Sequence, residues 1–317
     1  MPTESYREAP SMRRAYVLGH PIDHSLSPAL HRAAYAYLGE ANLGYDRRDT
    51  LPEDLPTIMH RVRHPKGTED APYIAGLSVT MPLKTAVIKY CDELSETARV
   101  TGAVNTVYPR GEKVLGDNTD VIGIVNALLH AGLEPHPERD EPAVIGGGAT
   151  AISALATLHK LGYRCVSVYA RSLHKLGDLQ AVAEHLGVQL SIVALAEFPA
   201  EQKARRHNPV ISTLPARAAD DWAPQLTDPA GAPEAAVRPV LLDVAYNPWP
   251  SVLASAWEVS GGAVVSGLEM LLYQAVEQVL LFTDRTLQPA ELLGLINAMC
   301  EAVGLPSREH LPAPLAE

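Results

Sequence analysis

The stretch GLSVTMPLK, residues 76–84, is the first of three polar clusters that interrupt otherwise ordinary apolar sequence. The other two clusters are TGAVNT (101–106) and GDNTD (116–120). Each follows or ends a short apolar run, and open α/β sheets collect binding and catalytic groups at the carboxyl ends of their strands. We therefore expect Lys84, Asn105 and Asp120 to meet in one cleft, because a lysine, an amide and a carboxylate suit proton transfer to a small oxygenated substrate. Taken singly, each residue fits an ordinary structural role better; the three in order favour the site.

Upstream of these clusters, HPIDHSLSP (20–28) links a buried strand, Ala15–Gly19, to a predicted helix. Ser27 is a good N-cap, and Pro28 suits the first helical position. A helix N-terminus attracts anions through its free amide groups, and Ser25 and Ser27 add two hydroxyl donors. The loop is therefore a candidate carboxylate receptor, with a purely capping role for Ser27 as the alternative.

A second domain is expected after the polar loop Glu134–Glu141. A predicted strand, Pro142–Ile145, is followed by GGGATA (146–151) and by a predicted helix, Ile152–Leu161. This G-x-G-x-x-A pattern between a strand and a helix is the dinucleotide-binding fingerprint in its required context. Its glycines allow a tight turn and a close approach to a pyrophosphate at the helix N-terminus. The candidate cofactor-binding residues of this turn are Gly146, Gly147, Gly148, Ala149 and Thr150.

The residues after the second strand of this domain indicate which dinucleotide is bound. A site for NAD usually has an acidic residue there, whereas Cys165–Tyr169 is followed by Ala170, Arg171 and Ser172. Arg171 suits a 2′-phosphate and Ser172 can add a hydroxyl donor, so the sequence predicts NADP. The alternative is a solvated arginine that caps the next helix.

The remaining apolar runs alternate between strand and helix patterns, which is typical of an α/β chain. The further predicted strands are Leu43–Arg47, Ile74–Val79, Ser191–Leu195, Val210–Ser212, Val240–Val244 and Val264–Val265, with a hairpin of Val104–Tyr108 and Val114–Leu115. The further predicted helices are Leu55–Val62, Thr85–Tyr90, Ser95–Thr101, one from Asp120 to Gly132 and one from Gly267. Residues 1 to about 12 are expected to lack order, and residues 216–239 to form a surface segment.

The composition limits the class of protein. The 317 residues, 47% of them hydrophobic, can bury two modest cores. A net charge of −11 argues against a nucleic-acid partner, because phosphate binding needs a basic face.

Three widely spaced cysteines fit reduced thiols, and residues 1–14 lack the apolar core of a signal peptide, so the cytoplasm is expected. Polar residues interrupt the apolar region 263–282, which predicts a buried helix and not a membrane span. The spacing of His20, His24 and His31 matches no common ligand pattern, so no metal is expected.

Together, these motifs resemble the shikimate dehydrogenase family. The family pattern of Ser-x-Ser-Pro, Val-Thr-x-Pro-x-Lys, Gly-Ala-Val-Asn-Thr and Asn-Thr-Asp is present in order between about Tyr16 and Phe282. The resemblance implies two α/β domains with a cleft between them. Residues 1–119, completed by helices over 266–317, would bind substrate, and residues 120–265 would form a Rossmann-type NADP domain. It also implies reversible, NADPH-dependent reduction of 3-dehydroshikimate to shikimate, in aromatic amino acid biosynthesis, by a monomer or homodimer.

The resemblance also implies roles for individual residues. Lys84 would exchange the proton at the reacting oxygen, and Asp120 would orient Lys84. The implied substrate-binding residues are Ser25, Ser27, Ser78, Thr80, Lys84, Asn105, Asp120, Tyr246 and Gln274. Thr213 and Gly267 join the glycine turn, Arg171 and Ser172 as implied cofactor-binding residues. The family commonly has Asn where this chain has Ser78 and Ala170, which leaves the substrate's ring-hydroxyl contacts and the adenosine contacts open. A quinate or shikimate dehydrogenase that uses NAD, and a non-catalytic NADP- or shikimate-binding protein, remain as alternatives.

Overall fold

The computed structural model describes residues 12–64, 72–227 and 238–312. The predicted lack of order over residues 1 to about 12 therefore concerns residues that are not described, apart from Met12. Part of the predicted surface segment 216–239 also lies outside the described residues. Among the described helices, none combines the length and the apolar character that a membrane span requires.

Packing divides the chain into two units. The first comprises the described residues up to Thr119 together with Ala275–Glu309, and the second comprises Asp120–Gln274 with the described residues from His310 onward. The chain leaves the first unit after Thr119 and returns to it after Gln274, within a helix.

The first unit contains a mixed six-stranded sheet with the order β2-β1-β3-β5-β6-β4. Its strands are β1 (Arg13–Gly19), β2 (Leu43–Asp49), β3 (Tyr73–Val79), β4 (Glu93–Leu94), β5 (Thr106–Arg110) and β6 (Lys113–Asp117). β1 pairs in parallel with β2 and β3, whereas β5 is antiparallel to β3 and forms the predicted hairpin with β6. The loops after β1 and β3 therefore leave the sheet at the same edge, which carries the polar motifs.

Helices cover this sheet and complete its core. They are α1 (Ser27–Tyr37), α2 (Leu55–Arg63), α3 (Glu96–Thr101), the last part of α9 (Gly267–Thr283) and α10 (Pro289–Val303). Ser95 caps α3 by accepting a hydrogen bond from the Ala98 amide at 3.1 Å. A Cβ at Gly76 would overlap the Phe282 ring, so this glycine lets α9 pack closely on β3.

The second unit contains a six-stranded parallel sheet with the order β12-β11-β10-β7-β8-β9. Its strands are β7 (Ala143–Ile145), β8 (Cys165–Ala170), β9 (Gln189–Ala194), β10 (Val210–Ser212), β11 (Val240–Asp243) and β12 (Ala263–Ser266). Counted from β7, this is the 3-2-1-4-5-6 order of the Rossmann fold, whose ligands bind where the strand order reverses. The central strands are fully buried, as strands covered on both faces require. The prediction of two α/β domains, one of them of Rossmann type, is confirmed.

The helices of the second unit precede, connect and follow these parallel strands. They are α4 (Asp120–His130), α5 (Ala149–Lys160), α6 (Gly177–Leu186), α7 (Phe198–Arg205), α8 (Val252–Val259) and the first part of α9. Trp257 of α8 is 1% exposed, and its indole N–H donates to the Pro239 carbonyl oxygen at 2.9 Å. The buried aromatic ring of Phe198 in α7 packs edge-on against Tyr169 of β8.

Two local predictions are wrong. Ser27 does not cap α1: the cap position is Leu26, without a side-chain hydrogen bond, and Ser27 is the first helical residue. Its backbone N–H instead donates to Ser25 Oγ at 3.3 Å, so the serine two residues earlier satisfies that amide. The helix predicted over Thr85–Tyr90 is only a 3₁₀ turn, Ile88–Tyr90, in a segment rich in β-branched residues with low helix propensity.

Candidate active site

Ser25 and Ser27 lie together at the start of α1. They are 7% and 3% exposed, and Ser25 Oγ donates to Ser27 Oγ at 3.2 Å. Arg47 of β2 holds the loop, because its Nε and Nη2 both donate to the Ser25 carbonyl oxygen, at 2.9 and 2.5 Å. The two serines therefore lie at a helix N-terminus, where dipole and amide groups favour an anion, and Ser25 can donate to such an anion when its hydrogen turns away from Ser27.

Thr80 and Lys84 follow β3 in a loop that backbone hydrogen bonds hold in place. The Thr80 amide donates to the Leu18 carbonyl oxygen of β1 at 2.9 Å, and the Val104 amide donates to the Lys84 carbonyl oxygen at 2.9 Å. A Cβ at Gly19 would overlap the Thr80 side chain, so the loops after β1 and β3 touch. The partly buried Lys84 is thus linked to the segment that carries Asn105.

The Asn105 amide, 2% exposed, has a fixed orientation. Its Oδ1 accepts from the Thr119 amide at 2.8 Å and from Thr106 Oγ1 at 2.7 Å, while its Nδ2 donates to Thr119 Oγ1 at 3.0 Å. A backbone N–H can only donate, so the atom that faces the Thr119 amide must be the Asn105 oxygen, and the nitrogen takes the other position, where it reaches the Thr119 hydroxyl. Asn105, Thr106 and Thr119 therefore form one hydrogen-bonded cluster in the first unit.

Beneath this cluster lie three buried residues that the sequence analysis missed: His31, Tyr45 and Gln278 are 0%, 1% and 1% exposed. Burial lowers the pKa of His31 to about 3 and raises that of Tyr45. The Tyr45 ring stacks on His31 with centroids 3.9 Å apart, and its hydroxyl donates to Ser78 Oγ at 2.7 Å. The sequence contains one weak indication of these residues. Gln278 lies one helical turn after the predicted site residue Gln274, on the same face of α9.

In the second unit, Asp120 begins α4 and Gln274 lies on α9, and both are buried at 5% and 6% exposure. A Cβ at Gly123 would come within 2.9 Å of Gln274 Cβ and of the Met270 carbonyl oxygen, so only glycine allows this approach of the two helices. Because Asp120 is one turn before Gly123, the contact also restrains the turn that carries Asp120.

Tyr246 lies in the loop after β11, which a buried carboxylate organises. Asp243 accepts hydrogen bonds from Ser251 Oγ at 2.6 Å and from the Ala245 amide at 3.4 Å, so it joins both ends of the loop. Burial raises the pKa of Asp243. Asp243 was not predicted, although it ends an apolar strand directly before the Ala-Tyr-Asn-Pro segment.

The glycine turn has the geometry that a pyrophosphate needs. Gly146 has φ of +123°, where a side chain is strained, and a Cβ there would overlap Thr213 Oγ1. A Cβ at Gly148 would meet nothing within 4 Å, so the backbone before α5 is open to a ligand. α5 begins at Ala149, and its first amide groups, including that of Thr150, point toward this opening. The turn therefore fits a dinucleotide phosphate.

The other predicted cofactor residues lie around the same edge of the parallel sheet. Arg171 and Ser172 follow β8, and Arg171 is exposed. Thr213 follows β10, and both its amide and its hydroxyl donate to the Ile145 carbonyl oxygen of β7 at 2.8 and 2.9 Å. Gly267 is the first residue of α9. A Cβ at this position would overlap the Val244 backbone, so only glycine fits there.

The predicted residues thus form two groups, one in each unit. The first unit holds Ser25, Ser27, Ser78, Thr80, Lys84 and Asn105, and the second holds Asp120, Tyr246, Gln274 and the cofactor turn. Within residues 12–64, 72–227 and 238–312, no group of three or more His, Cys, Asp or Glu side chains could hold a metal ion.

Comparisons with known proteins show which proteins this chain is similar to. The family model for the shikimate dehydrogenase substrate binding domain matches residues 17–107. The crystal structure of Mycobacterium tuberculosis shikimate dehydrogenase is 35% identical, with a TM-score of 0.74, and the match covers 90% of this chain and 99% of that one. Shikimate 5-dehydrogenase from Thermus thermophilus, solved in complex with NADP(H) and shikimate, is 28% identical, with a TM-score of 0.70, and the match covers 92% and 100% of the two chains.

Curated relatives include much longer proteins. The pentafunctional AROM polypeptide of Komagataella phaffii is 32% identical over 270 residues, which are 84% of this chain. The chain spans 17% of the length of that relative. The likeness to the Mycobacterium tuberculosis enzyme, by contrast, extends over nearly the whole of both chains. On that likeness, this chain belongs to the shikimate dehydrogenase family.

Proposed function

We propose that this chain is an NADP-dependent oxidoreductase that reversibly reduces 3-dehydroshikimate to shikimate, a step of aromatic amino acid biosynthesis. The observation that carries the proposal is the 35% identity to a shikimate dehydrogenase over 99% of that enzyme. The site supports it, because the first unit combines hydroxyl donors at a helix N-terminus, a lysine and an oriented amide on one sheet edge.

Ser25 and Ser27 would bind the substrate carboxylate. Both hydroxyls are buried beside the first turn of α1, and Arg47 fixes the Ser25 carbonyl, so the loop need not be ordered when the anion arrives. A charged acceptor strengthens each hydrogen bond it receives. Asn105 and Thr80 would then contact ring oxygens from the adjoining loops.

Lys84 would donate the proton to the substrate oxygen in the reduction direction and accept it in the oxidation direction. Asp120 would orient the lysine ammonium and accept a hydrogen bond from the neighbouring ring hydroxyl. The bound nicotinamide supplies the hydride, and the residues of this chain position the substrate and carry the proton. Tyr246 and Gln274 would complete the substrate site.

Gly146, Gly147, Gly148, Ala149 and Thr150 would hold the NADP pyrophosphate, and Arg171 with Ser172 would bind the 2′-phosphate. The positive φ of Gly146 and the open backbone at Gly148 support the first assignment. The exposed guanidinium directly after β8, where no acid stands, supports the second. Thr213 and Gly267 would lie along the nicotinamide half of the cofactor.

A matrix of two substrates and two cofactors tests this function. Purified protein is assayed with shikimate or quinate and with NADP or NAD, following the absorbance of the reduced nicotinamide. We expect the highest kcat/KM for shikimate with NADP. A higher value with NAD or quinate would favour a quinate or shikimate dehydrogenase, and binding of shikimate or NADP without turnover would favour a non-catalytic binding protein.

The cytoplasm is the compartment we propose, supported by three free cysteines that are spread over both units. The net charge of −11 supports the absence of a nucleic-acid partner, and a monomer or homodimer is the assembly we propose. Sedimentation analysis with and without NADP would measure the oligomeric state.

A further inference from the structure

The Gln278 side chain joins three elements of the first unit. Its Oε1 accepts hydrogen bonds from Ser78 Oγ at 2.6 Å and from His31 Nε2 at 3.3 Å. Its Nε2 donates to Thr106 Oγ1 at 3.0 Å and to the Asn105 carbonyl oxygen at 3.3 Å. One buried amide on α9 therefore connects α1, the end of β3 and the beginning of β5.

The direction of each hydrogen bond in this cluster is determined. The Asn105 carbonyl can only accept, so the Gln278 nitrogen must face it and the Gln278 oxygen must face Ser78 and His31. Burial lowers the pKa of His31 to about 3, so the ring is neutral and has a single N–H. That hydrogen must lie on Nε2, and Nδ1 then accepts from Tyr35 Oη at 3.3 Å.

These directions determine which hydrogen bonds Ser78 can still form. A hydroxyl has one hydrogen and two acceptor sites. The Ser78 hydrogen is directed to Gln278, and one acceptor site receives the Tyr45 hydroxyl at 2.7 Å. Toward any further group, Ser78 can therefore only accept a hydrogen bond.

The same amide acts on Asn105 through Thr106. Gln278 Nε2 donates to Thr106 Oγ1, and the same hydroxyl donates to Asn105 Oδ1 at 2.7 Å, because an amide oxygen can only accept. A single side chain thus sets the hydrogen-bond polarity of Ser78 and, through Thr106, also supports Asn105, whose amide orientation the Thr119 backbone N–H determines.

We propose that Gln278 and Tyr45 are positioning residues of the substrate site and that, through them, Ser78 selects a substrate hydroxyl as a hydrogen-bond donor. This inference rests on the proposed function and adds a specificity rule to it. A ring acid that presents a hydroxyl to Ser78 is bound, and an analogue with hydrogen or a methoxy group in that place is discriminated against, because it donates nothing to the Ser78 oxygen.

Steady-state kinetics of Gln278→Met and Tyr45→Phe test the inference. Methionine keeps the length of the side chain without its amide, and phenylalanine keeps the ring that stacks on His31. We expect the KM for shikimate to rise about tenfold in Gln278→Met and about fivefold in Tyr45→Phe, equivalent to the loss of one ordinary hydrogen bond or slightly more. The KM for NADP stays unchanged in both.

Tyr163→Phe is the matched control. Tyr163 is also 1% exposed, and its hydroxyl donates to Asp140 at 3.1 Å in the second unit. The control should lower the melting temperature and leave the KM for shikimate unchanged. A Tyr45→Phe variant with an unchanged KM for shikimate overturns the proposal, even if Gln278→Met fails to fold.

The route through Ser78 is tested by a double-mutant cycle. In a Ser78→Ala background, Tyr45→Phe should have a smaller effect on the KM for shikimate, because one of the two serines that its hydroxyl contacts is gone. An undiminished effect in that background also overturns the proposal. Wild-type protein without turnover contradicts the proposed function instead; shikimate affinity measured by calorimetry then replaces KM in the same cycle.

Discussion

Gly123 of α4 packs so closely against Gln274 of α9 that no residue larger than glycine fits at position 123. A Cβ at Gly123 would lie 2.9 Å from Gln274 Cβ, and equally close to the Met270 carbonyl oxygen. Real Cβ atoms do not approach so closely, and a backbone carbonyl cannot turn aside as a flexible side chain can. The spacing of these two helices therefore determines the positions of Asp120 and Gln274 together.

Gly123→Ala should consequently weaken substrate binding and stability at the same time. Overpacking costs about 1–3 kcal/mol, and alanine recovers about 1 kcal/mol of helix propensity, so a net loss of about 1 kcal/mol remains. Thermal unfolding should shift down by roughly 2–4 °C, and the KM for shikimate should rise. Asn126→Ala, on the partly exposed side of α4, is the control; a Gly123→Ala variant as stable and as tight-binding as wild type contradicts the contact argument.

Lys84→Ala should lower kcat far more than it raises the KM for shikimate. A general acid–base group contributes about a hundred- to ten-thousand-fold to turnover. Lys89→Ala is the matched control, because Lys89 is exposed and its ammonium lies 5.2 Å from the Tyr90 ring centroid. Near-normal kcat in Lys84→Ala, measured under saturating substrate and cofactor, would remove Lys84 from the mechanism.

The double variant Ser25→Ala, Ser27→Ala should weaken shikimate binding through the carboxylate. Hydrogen bonds to a charged group contribute roughly 1.5–3 kcal/mol each, so the loss of both is at least about 3 kcal/mol, or roughly a hundredfold in affinity. Calorimetry with shikimate and with an analogue that lacks the carboxylate provides the comparison. Equal losses for both ligands would show that the serines do not bind this group.

The sequence predicted the strands that end in polar motifs and the dinucleotide turn, because these depend on local patterns. Gly146, Gly148 and Ala149 lie in the predicted strand–turn–helix context, and the α/β class is confirmed. Ser27 was assigned as a cap because the residue type fits, but the chain already turns helically at Leu26. Cap position depends on backbone angles that a composition pattern does not contain.

The polar layer beneath the site could not be predicted because its partners are far apart in sequence. Gln278 contacts His31, Ser78 and Thr106, which are separated from it by 247, 200 and 172 positions. In sequence, Gln278 is one more amide on a helix, and Tyr45 is an apolar residue of a strand. Only packing of α9 onto β3 at Gly76 brings these groups together.

Arg171→Ala should raise the KM for NADP about tenfold and leave that for NAD nearly unchanged. A guanidinium binds phosphate oxygens in a bidentate manner, and exposure to solvent reduces its contribution to about 1.5 kcal/mol. Arg164→Ala, at the opposite end of β8, is the control, because this exposed arginine donates to two backbone carbonyl oxygens, those of His159 and Tyr163. If the affinities for NADP and NAD fall together, Arg171 stabilises the loop and does not bind the 2′-phosphate.

His31 should make the protein less stable as the pH falls below neutral. Burial lowers the pKa of His31 from 6.5 to about 3, so the unfolded chain binds a proton in this range and the folded chain does not. Because the pKa of His31 is lower in the folded chain, its contribution to the free energy of unfolding is fully present above pH 6.5. This contribution is lost as the pH decreases toward 3. One pKa unit corresponds to about 1.4 kcal/mol, so the loss from this residue reaches about 2 kcal/mol at about pH 5.

Urea unfolding of wild type and His31→Gln between about pH 7 and about pH 5 measures this loss, because the variant should start less stable and lose less free energy of unfolding on acidification. Tyr35→Phe removes the hydroxyl that bonds Nδ1 and keeps the imidazole, so it should lower stability and retain the wild-type slope. Parallel curves for wild type and His31→Gln would mean that His31 does not enter the folded core as a neutral ring.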